Sequence, residues 1–369
     1  MQNKKVKYAV VGLGYIAQAA VLPAFRNAKK NSELVSLISD DPQKLSALSR
    51  KYKTKLNGDY ADFEDILNRG EIDAVYIALP NHLHREYVER AAEAGVHILC
   101  EKPMAVTVEE CESMLSAVEA NGVKLMIAYR LHFERANLKA VSLIERGKIG
   151  SPKYFASTFS MQVKEGNIRT NPIEQGGGTL YDIGIYCLNA ARYLFQSEPI
   201  EVFAMSATSS ERRFESIDES TIATLRFPED RLATFVSSFG SADQAVYKVV
   251  GTKGSLEVQN AYEWQSPITH RLRIGEREQR TRFPKRDQFA PELIYFSDCI
   301  LNDKQIEPSA EEGLRDVEVI QALYESARTG RVISMQMDQE KMRPRLSQEI
   351  RRPSQEKVKR MVHVQEPFK

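Results

Sequence analysis

The stretch KYAVVGLGYIA, residues 7–17, decides the fold of the N-terminal part of the chain. Its first half is an apolar run of the kind that forms a buried strand, and its second half has the G-x-G-x-x-A pattern. The first glycine of this pattern permits a tight turn, the second lets the backbone approach a pyrophosphate, and the small alanine lets helix and strand pack closely. A tight turn without a ligand is the alternative. We predict that the turn binds a dinucleotide through Gly12, Gly14, Tyr15, Ile16 and Ala17.

Short apolar runs alternate with amphipathic stretches as the chain continues. Each run has the length of a strand, and stretches with helical periodicity, such as REYVERAAEAG at 85–95, lie between the runs. Regular alternation of strand and helix is typical of a parallel, doubly wound sheet. We therefore predict an α/β fold with a Rossmann domain over residues 1–128. Its further strands are ELVSLIS (33–39), IDAVYIALP (72–80), VHILCEKP (96–103) and VKLMIAYR (123–130).

Beyond this region the pattern changes to alternation of single apolar and polar residues, as in STIATLRFP (220–228) and RLATFVSSFG (231–240). Such alternation indicates an antiparallel sheet with one covered face. We predict an α+β domain with a large, mostly antiparallel open sheet over residues 129–338. Residues 339–369 are polar and basic, and we expect a mobile or surface-bound tail there, with a partner-binding arm as the alternative.

Composition excludes several classes of protein. The chain has 369 residues and a formal net charge of +1, so it has no overall electrostatic bias toward nucleic acid or an anionic membrane. It has no apolar run long enough to span a bilayer and no secretory signal at its N-terminus. Its four cysteines are scattered and its histidines lack the spacing of metal ligands, so we expect reduced thiols, no metal and a cytoplasmic location.

The end of the second predicted strand bears on the choice of dinucleotide. Asp40 can accept hydrogen bonds from ribose hydroxyls and would repel a 2′-phosphate, which favours NAD. Ser39 and Lys44 offer a hydroxyl and a cation that can hold that phosphate, which favours NADP. The residues alone leave the choice open. We predict that Asp41 caps a helix that starts at Pro42.

The stretch GGGTLYDIGIYCLN, residues 176–189, places polar residues in a mostly apolar helix. Asp182 and Tyr186 are four residues apart and share one helix face, and Asn189 continues the row. The apolar residues fall mostly on the other side, as a core-facing stripe would. A core tyrosine with a satisfied hydroxyl, and an aspartate that caps a helix or forms a salt bridge, are the structural alternatives.

Glu101-Lys102-Pro103 follows a predicted parallel strand, so it lies at the sheet edge where doubly wound folds bind their ligands. Together with the sequences YAVVGLGYIA, DAVYIALPNHLH, LMIAYRLHFERAN and GGGTLYDIGIYCLNAARYLF, this motif resembles the glucose–fructose oxidoreductase / inositol dehydrogenase (Gfo/Idh/MocA) family, and within it the glucose–fructose oxidoreductase branch. The resemblance extends from about Lys5 to about Ser334. It implies hydride transfer between a nicotinamide and a sugar or polyol. It also implies a homo-oligomer, a dimer or tetramer, packed through the C-terminal sheet.

The resemblance implies roles for single residues. Lys102 matches the lysine of the family's E-K-P motif, and Asp182 and Tyr186 match its D-x-G-x-H/Y pair. Ser39 and Lys44 match contacts to the 2′-phosphate, which makes NADP the expected cofactor, although Asp40 stands where this branch has glycine and keeps NAD as the alternative. The other cofactor-binding residues that we expect are Leu79, Pro80, Asn81, His84, Glu101, Lys102, Arg130 and Arg169.

The residues suit hydride transfer to or from a hydroxyl-bearing carbon. A free tyrosine has a pKa near 10, and a neighbouring lysine cation favours the phenolate. We predict that Tyr186 is the general acid/base, that Lys102 is its electrostatic partner, and that Asp182 orients Lys102 or the substrate, which Arg130 also binds. The three glycines at 176–178 would let the backbone approach the ligand. Only a few residues precede the first strand, so we expect no covering arm there and ordinary exchange of the cofactor.

Two alternatives remain at this point. One is a dehydrogenase of a cyclic diol or hydroxy-aldehyde with the same fold. The other is a catalytically silent regulatory protein that senses NAD(P). The complete set of Lys102, Asp182 and Tyr186 favours an enzyme, because a sensor has no evident need for all three.

Overall fold

A computed structural model describes residues 4–338, 343–364 and 366–368. Contacts divide the chain into two compact units. Of the described residues, the first unit contains those within 1–130, 286–313 and 351–367, and the second contains those within 131–285, 314–350 and 368–369. None of the helices in the described ranges is both long enough and apolar enough to cross a bilayer.

The first unit is built on a parallel sheet of six strands. The strands are β1 (Val6–Val11), β2 (Ser32–Ile38), β3 (Leu56–Gly58), β4 (Ala74–Ile77), β5 (His97–Cys100) and β6 (Leu125–Ile127). Their order is β3-β2-β1-β4-β5-β6, and every neighbouring pair is parallel. This order reverses direction between β1 and β4, which is the point where doubly wound sheets bind nucleotides. The predicted Rossmann fold is confirmed.

Helices connect the strands of this sheet and support the second sheet. The α-helices are α1 (Leu22–Ala28), α2 (Pro42–Tyr52), α3 (Phe63–Leu67), α4 (His84–Glu93), α5 (Val108–Ala120), α6 (Arg135–Glu145), α7 (Ile185–Phe195), α8 (Ala290–Leu301) and α9 (Ala310–Thr329). The predicted cap of α2 is confirmed, because the Asp41 carboxylate accepts the N–H groups of Gln43 and Lys44.

The segments 286–313 and 351–367 belong to the first unit, whereas the sequence predicted one in the second domain and the other in a tail. Residues 286–313, which include α8, were expected in the second domain, but their contacts lie with the first unit. Helix α8 packs on α1 and β1. The buried hydroxyls of Tyr8 and Ser297 are 2.8 Å apart and join α8 to the central strand. An apolar helix face has the same pattern whichever core it covers, so the sequence does not reveal this assignment.

The second unit is built on a mixed sheet of nine strands. The strands are β7 (Pro152–Gln162), β8 (Glu201–Ala207), β9 (Ser220–Phe227), β10 (Arg231–Ser238), β11 (Gly240–Gly251), β12 (Gly254–Gln259), β13 (Ile268–Ile274), β14 (Arg277–Phe283) and β15 (Ile333–Ser334). The order is β14-β13-β12-β11-β7-β10-β9-β8-β15, and β7 and β10 are parallel while the other pairs are antiparallel. The predicted large, mostly antiparallel sheet is confirmed.

A buried ionic cluster anchors α7 in this unit. Arg192 is fully buried, and its guanidinium lies 2.5 Å from both Glu198 and Asp316. Asn189 of α7 also donates to Asp316, at 3.0 Å. Burial alone raises the pKa of Glu198, but Arg192 and Arg343 outweigh it and bring the pKa to about 2. The ion pairs of Arg192 therefore hold α7 in place, and Glu198 stays ionised at neutral pH.

Candidate functional site

The glycine turn after β1 has the geometry of a dinucleotide site. Gly12 has a φ of +89°, and a Cβ there would lie 2.5 Å from the carbonyl oxygen of Ala78, so no other residue fits. At Gly14, by contrast, no heavy atom of the described residues beyond its chain neighbours lies within 4 Å of a Cβ position. This open side is where a pyrophosphate would approach the backbone, so the turn fits the ligand. Ala17 is fully buried, as close helix–strand packing requires.

The loop after β2 carries the residues that bear on cofactor choice. The Ser39 side chain is buried, and its hydroxyl accepts the N–H of Asp41 at 3.2 Å. The Lys44 ammonium lies 3.8 Å from the Asp41 carboxylate, and Asp40 is exposed. A hydroxyl, a cation and two carboxylates therefore occupy one short loop. The N–H of Lys44, with the His363 side chain and the Lys44 charge, lowers the pKa of Asp41.

His84 joins two loops at the same edge of the sheet. It is fully buried, with Nε2 at 3.0 Å from the carbonyl oxygen of Leu79 and Nδ1 at 2.9 Å from that of Pro103. Burial lowers the pKa of His84, although the backbone carbonyls oppose that shift. The sequence predicted a cofactor contact at His84, but both of its ring nitrogens face backbone carbonyls. It therefore positions the Lys102 loop, in which the Lys102–Pro103 peptide is cis.

Acidic and cationic groups surround the Glu101-Lys102 motif within the first unit. The hydroxyl of Tyr76 donates to Glu101 at 2.8 Å, and burial raises the pKa of that carboxyl. Glu292 of α8 is fully buried and has no hydrogen-bond partner among the described residues. Burial, and then the charge of Glu101, raise the pKa of Glu292 well above its ordinary value.

Arg130 is also buried at this edge, with 6% of its surface exposed, and its guanidinium donates to the side chain of Gln288. The sequence placed Arg130 at the cofactor and substrate, but it gave no indication of Gln288 or Glu292. Both of these residues come from the segment 286–313, which was expected in the other domain. Gln288 and Glu292 lie near Arg130 and Glu101 only because α8 packs on the first unit. No local pattern in the sequence predicts that packing.

The polar row of the second unit has two members. Of residues 176–195, only Asp182 and Tyr186 are not buried. Asn189 was expected to continue the row, but it is buried and its amide oxygen lies 2.8 Å from His132 Nε2. Asp182 lies in a π-helical turn, Leu180–Gly184, that leads into α7. Such turns are frequent at functional sites, and the sequence did not predict this one.

Side chains of the second unit hold both members of this row. The Arg169 Nε lies 2.6 Å from the Asp182 carboxylate, so Asp182 has the salt-bridge partner that was considered as an alternative. The Tyr186 ring packs edge-on against Phe159, with 5.7 Å between ring centroids, and lies 6.0 Å from Tyr262. Asp182 and Tyr186 are thus a positioned acid and phenol on a helix whose other side chains are buried.

The glycines at 176–178 have a different explanation from the one predicted. A Cβ on Gly177 would lie 1.8 Å from the carbonyl oxygen of Asn171. Gly178 has a φ of +97°, and its Cβ would lie 2.4 Å from the Tyr324 hydroxyl and 2.7 Å from the Asp218 carboxylate. Packing against protein atoms therefore requires these two glycines, and approach to a ligand is not needed to explain them.

Comparison with known proteins covers both units. The model of the GFO/IDH/MocA oxidoreductase family's NAD-binding Rossmann fold matches residues 6–129, and the model of that family's C-terminal alpha/beta domain matches residues 141–335. D-xylose 1-dehydrogenase [NADP(+)] of Haloarcula marismortui is 32% identical over 334 residues, which are 89% of this chain and 92% of that protein.

Solved structures show the same fold. Aldose-aldose oxidoreductase from Caulobacter crescentus, crystallised with glycerol, has a TM-score of 0.86 and 36% identity, over 90% of this chain and all of that one. A 3-ketoreductase from Actinomadura kijaniata, in complex with NADP and TDP-benzene, has a TM-score of 0.79 over 88% of this chain and 98% of that one. Its identity is 23%, so the likeness supports the fold alone.

Proposed function

Because this chain belongs to the GFO/IDH/MocA oxidoreductase family, we propose that it transfers a hydride between a nicotinamide dinucleotide and a sugar, sugar derivative or polyol. The observation that carries this proposal is the pair Asp182 and Tyr186, the two side chains that stay accessible on an otherwise buried helix. Both side chains keep part of their surface accessible, so a substrate can contact them although Asp182 also pairs with Arg169. The names of the xylose and aldose relatives support a sugar as the substrate.

NADP is the proposed cofactor. The Haloarcula relative is named for NADP(+), and the buried hydroxyl of Ser39 and the ammonium of Lys44 suit the 2′-phosphate. The exposed carboxylate of Asp40 keeps NAD as the alternative. The open backbone at Gly14 supports placement of the pyrophosphate at the glycine turn.

The bound nicotinamide supplies the site that accepts or donates hydride. In the oxidising direction, Tyr186 accepts the hydroxyl proton, and it returns a proton when a carbonyl is reduced. The Lys102 ammonium is proposed to stabilise the negative charge of the developing alkoxide. Asp182, held by Arg169, binds a second hydroxyl group and sets the orientation of the substrate. Arg130, which donates a hydrogen bond to Gln288, is proposed to bind the cofactor and the substrate from the first unit.

We also propose that the protein is a homo-oligomer, a dimer or tetramer, that forms through the nine-stranded sheet and works in the cytoplasm. Large apolar side chains are exposed on neighbouring strands of this sheet: Tyr154, Met205, Ile222 and Leu232. Met205 and Ile222 are paired across β8 and β9, so they form a continuous patch. The double variant Met205→Glu, Ile222→Lys should lower the mass measured by sedimentation velocity, and an unchanged mass would refute this interface.

A substrate panel tests the proposed activity. Sugars, polyols, cyclic diols and hydroxy-aldehydes are each offered with NADP and with NAD, and the nicotinamide absorbance is followed. Turnover of an aldose or polyol is the expected result. Turnover of cyclic diols or hydroxy-aldehydes alone would change the substrate class. Tight binding of cofactor with no turnover of any compound would leave a sensor as the better explanation.

A further inference from the structure

The C-terminal segment 351–364 returns to the first unit and follows its nucleotide-binding edge. It is tied first to the end of α1, where the Arg352 side chain donates to the carbonyl oxygen of Asn27 at 3.1 Å. The Asn27 side chain donates in turn to the carbonyl oxygen of Pro353, at 3.1 Å. The segment is therefore bound to the surface of the first unit, as in the surface-bound form of the tail that the sequence predicted.

Gln18 links the segment to the glycine turn. It directly follows Ala17 in the chain, and 2% of its surface is exposed. Its amide nitrogen donates to the carbonyl oxygens of Leu13 and Val362, at 2.9 Å each, and its amide oxygen accepts the N–H of Val362 at 2.8 Å. One buried amide thus joins the phosphate-binding turn to the backbone of the tail.

His363 links the segment to the loop after β2. Its Nδ1 lies 3.0 Å from the carboxylate of Asp41, which also caps α2 and lies beside Lys44. His363 has a φ of +48°, in the left-handed region that residues other than glycine seldom adopt. Such a conformation persists where surrounding contacts hold it, and strained positions of this kind cluster at ligand sites.

We propose that residues 361–364 form a strap over the adenosine half of the bound dinucleotide, that His363 is a nucleotide-binding residue, and that the strap slows release of the cofactor. The proposal rests on the dinucleotide site described above. The two anchors of the strap, Gln18 and Asp41, belong to the two segments that hold the pyrophosphate and the ribose in this fold. The strap leaves the approach to Gly14 open, so it borders the nucleotide and does not replace it.

The charge of the segment fits this role. Residues 351–364 contain five lysines and arginines and one glutamate. Cations beside a phosphate site attract an anionic ligand and oppose its departure. A strap that slows release contrasts with the ordinary exchange of cofactor that the sequence predicted.

Three variants test the strap against one control. Val362→Pro removes the N–H that bonds to Gln18 and keeps the length of the chain. His363→Ala removes the contact to Asp41, and a chain that ends at Ile350 removes the whole segment. The control is Ser354→Pro, because this exposed residue lies in the same segment and makes no hydrogen bond among the described residues. Dissociation of NADPH is measured by stopped-flow fluorescence after displacement with excess NADP.

The truncated chain and Val362→Pro should release NADPH at least about tenfold faster than the wild type. A tenfold change in rate corresponds to the loss of about one or two hydrogen bonds. His363→Ala should show a smaller increase in the same direction, and Ser354→Pro should match the wild type. Binding of reduced nicotinamide mononucleotide should be the same in all variants, because it lacks the adenosine half. Thermal melting checks that each variant is folded.

Two results would overturn the strap. Equal release rates in the wild type and the truncated chain would show that the segment does not retain the cofactor. Slower release, or tighter binding, in the truncated chain would show that the segment competes with the nucleotide. If the full chain binds neither NADPH nor NADH, the proposed function itself fails, which is a different outcome from equal release rates.

Discussion

The two units hold their functional residues by different physical means. In the first unit, backbone geometry places them: Gly12 fits against a neighbouring carbonyl, and His84 bonds to two backbone carbonyls. In the second unit, side chains hold Asp182 and Tyr186 through an ion pair and ring contacts. Constraints on backbone geometry appear in the sequence as short, local motifs, whereas side-chain networks join residues that are far apart in sequence. We therefore expect replacement of a glycine to abolish the function of the first unit, and removal of a single polar atom to abolish that of the second.

The sharpest test removes one oxygen from the second unit. Tyr186→Phe should lower kcat by about two to four orders of magnitude, because the variant lacks the proposed acid/base group. The matched control is Tyr193→Phe on the same helix, whose buried hydroxyl donates to Asn137 at 3.3 Å. That variant should lose about 1 kcal/mol of stability and keep its turnover. Steady-state kinetics decide the question, and wild-type turnover in Tyr186→Phe would remove this residue from the mechanism.

Two glycines of the first unit offer the complementary test. Gly12→Ala places a Cβ 2.5 Å from a backbone oxygen and should cost about 2 kcal/mol or more of folding stability, with loss of NADPH binding. Gly14→Ala meets no such obstacle, so it should fold normally and lose affinity for the nucleotide alone. Thermal melting and NADPH titration separate the two effects. Equal melting temperatures for the two variants would contradict the difference in packing.

A buried histidine makes the stability of the second unit depend on pH. Burial lowers the pKa of His270 to about 4, and the charge of Lys139 adds to the shift. The unfolded chain binds a proton near the ordinary pKa of 6.5, so stability declines as pH falls from 6.5 to 4, by about 3 kcal/mol in all. His270→Leu should flatten this part of the urea-unfolding profile. If the stability of His270→Leu falls with pH as steeply as that of the wild type, other titratable groups cause the decline.

The same contrast explains which features the sequence reveals. The order of strands and helices in the first unit, the glycine turn and the polar pair on α7 follow from local periodicity and spacing. Strand β3 was missed because two of its three residues, Asn57 and Gly58, are typical of turns. Edge strand β14 lacks the apolar alternation that predicts a strand, because its residues are mostly exposed and charged. Glu292, Gln288 and the anchor at Gln18 depend on segments that return from far along the chain, and no local pattern predicts such contacts.

The loop after β2 combines both means of positioning residues. A cap on backbone N–H groups fixes its shape, and side-chain charges would act on the bound cofactor. Lys44→Ala should weaken NADP binding about tenfold, as the loss of one charge-assisted hydrogen bond would, and should leave NAD binding nearly unchanged. Asp40→Ala should act in the opposite direction, since it removes a carboxylate that repels the 2′-phosphate. Neither variant replaces Asp41 or removes the backbone N–H groups that its carboxylate accepts, so the cap of α2 should be preserved. Titration of both cofactors against both variants measures the preference directly. If both substitutions shift it in the same direction, side-chain charge in this loop does not decide between the two cofactors, and the choice must depend on residues elsewhere in the first unit.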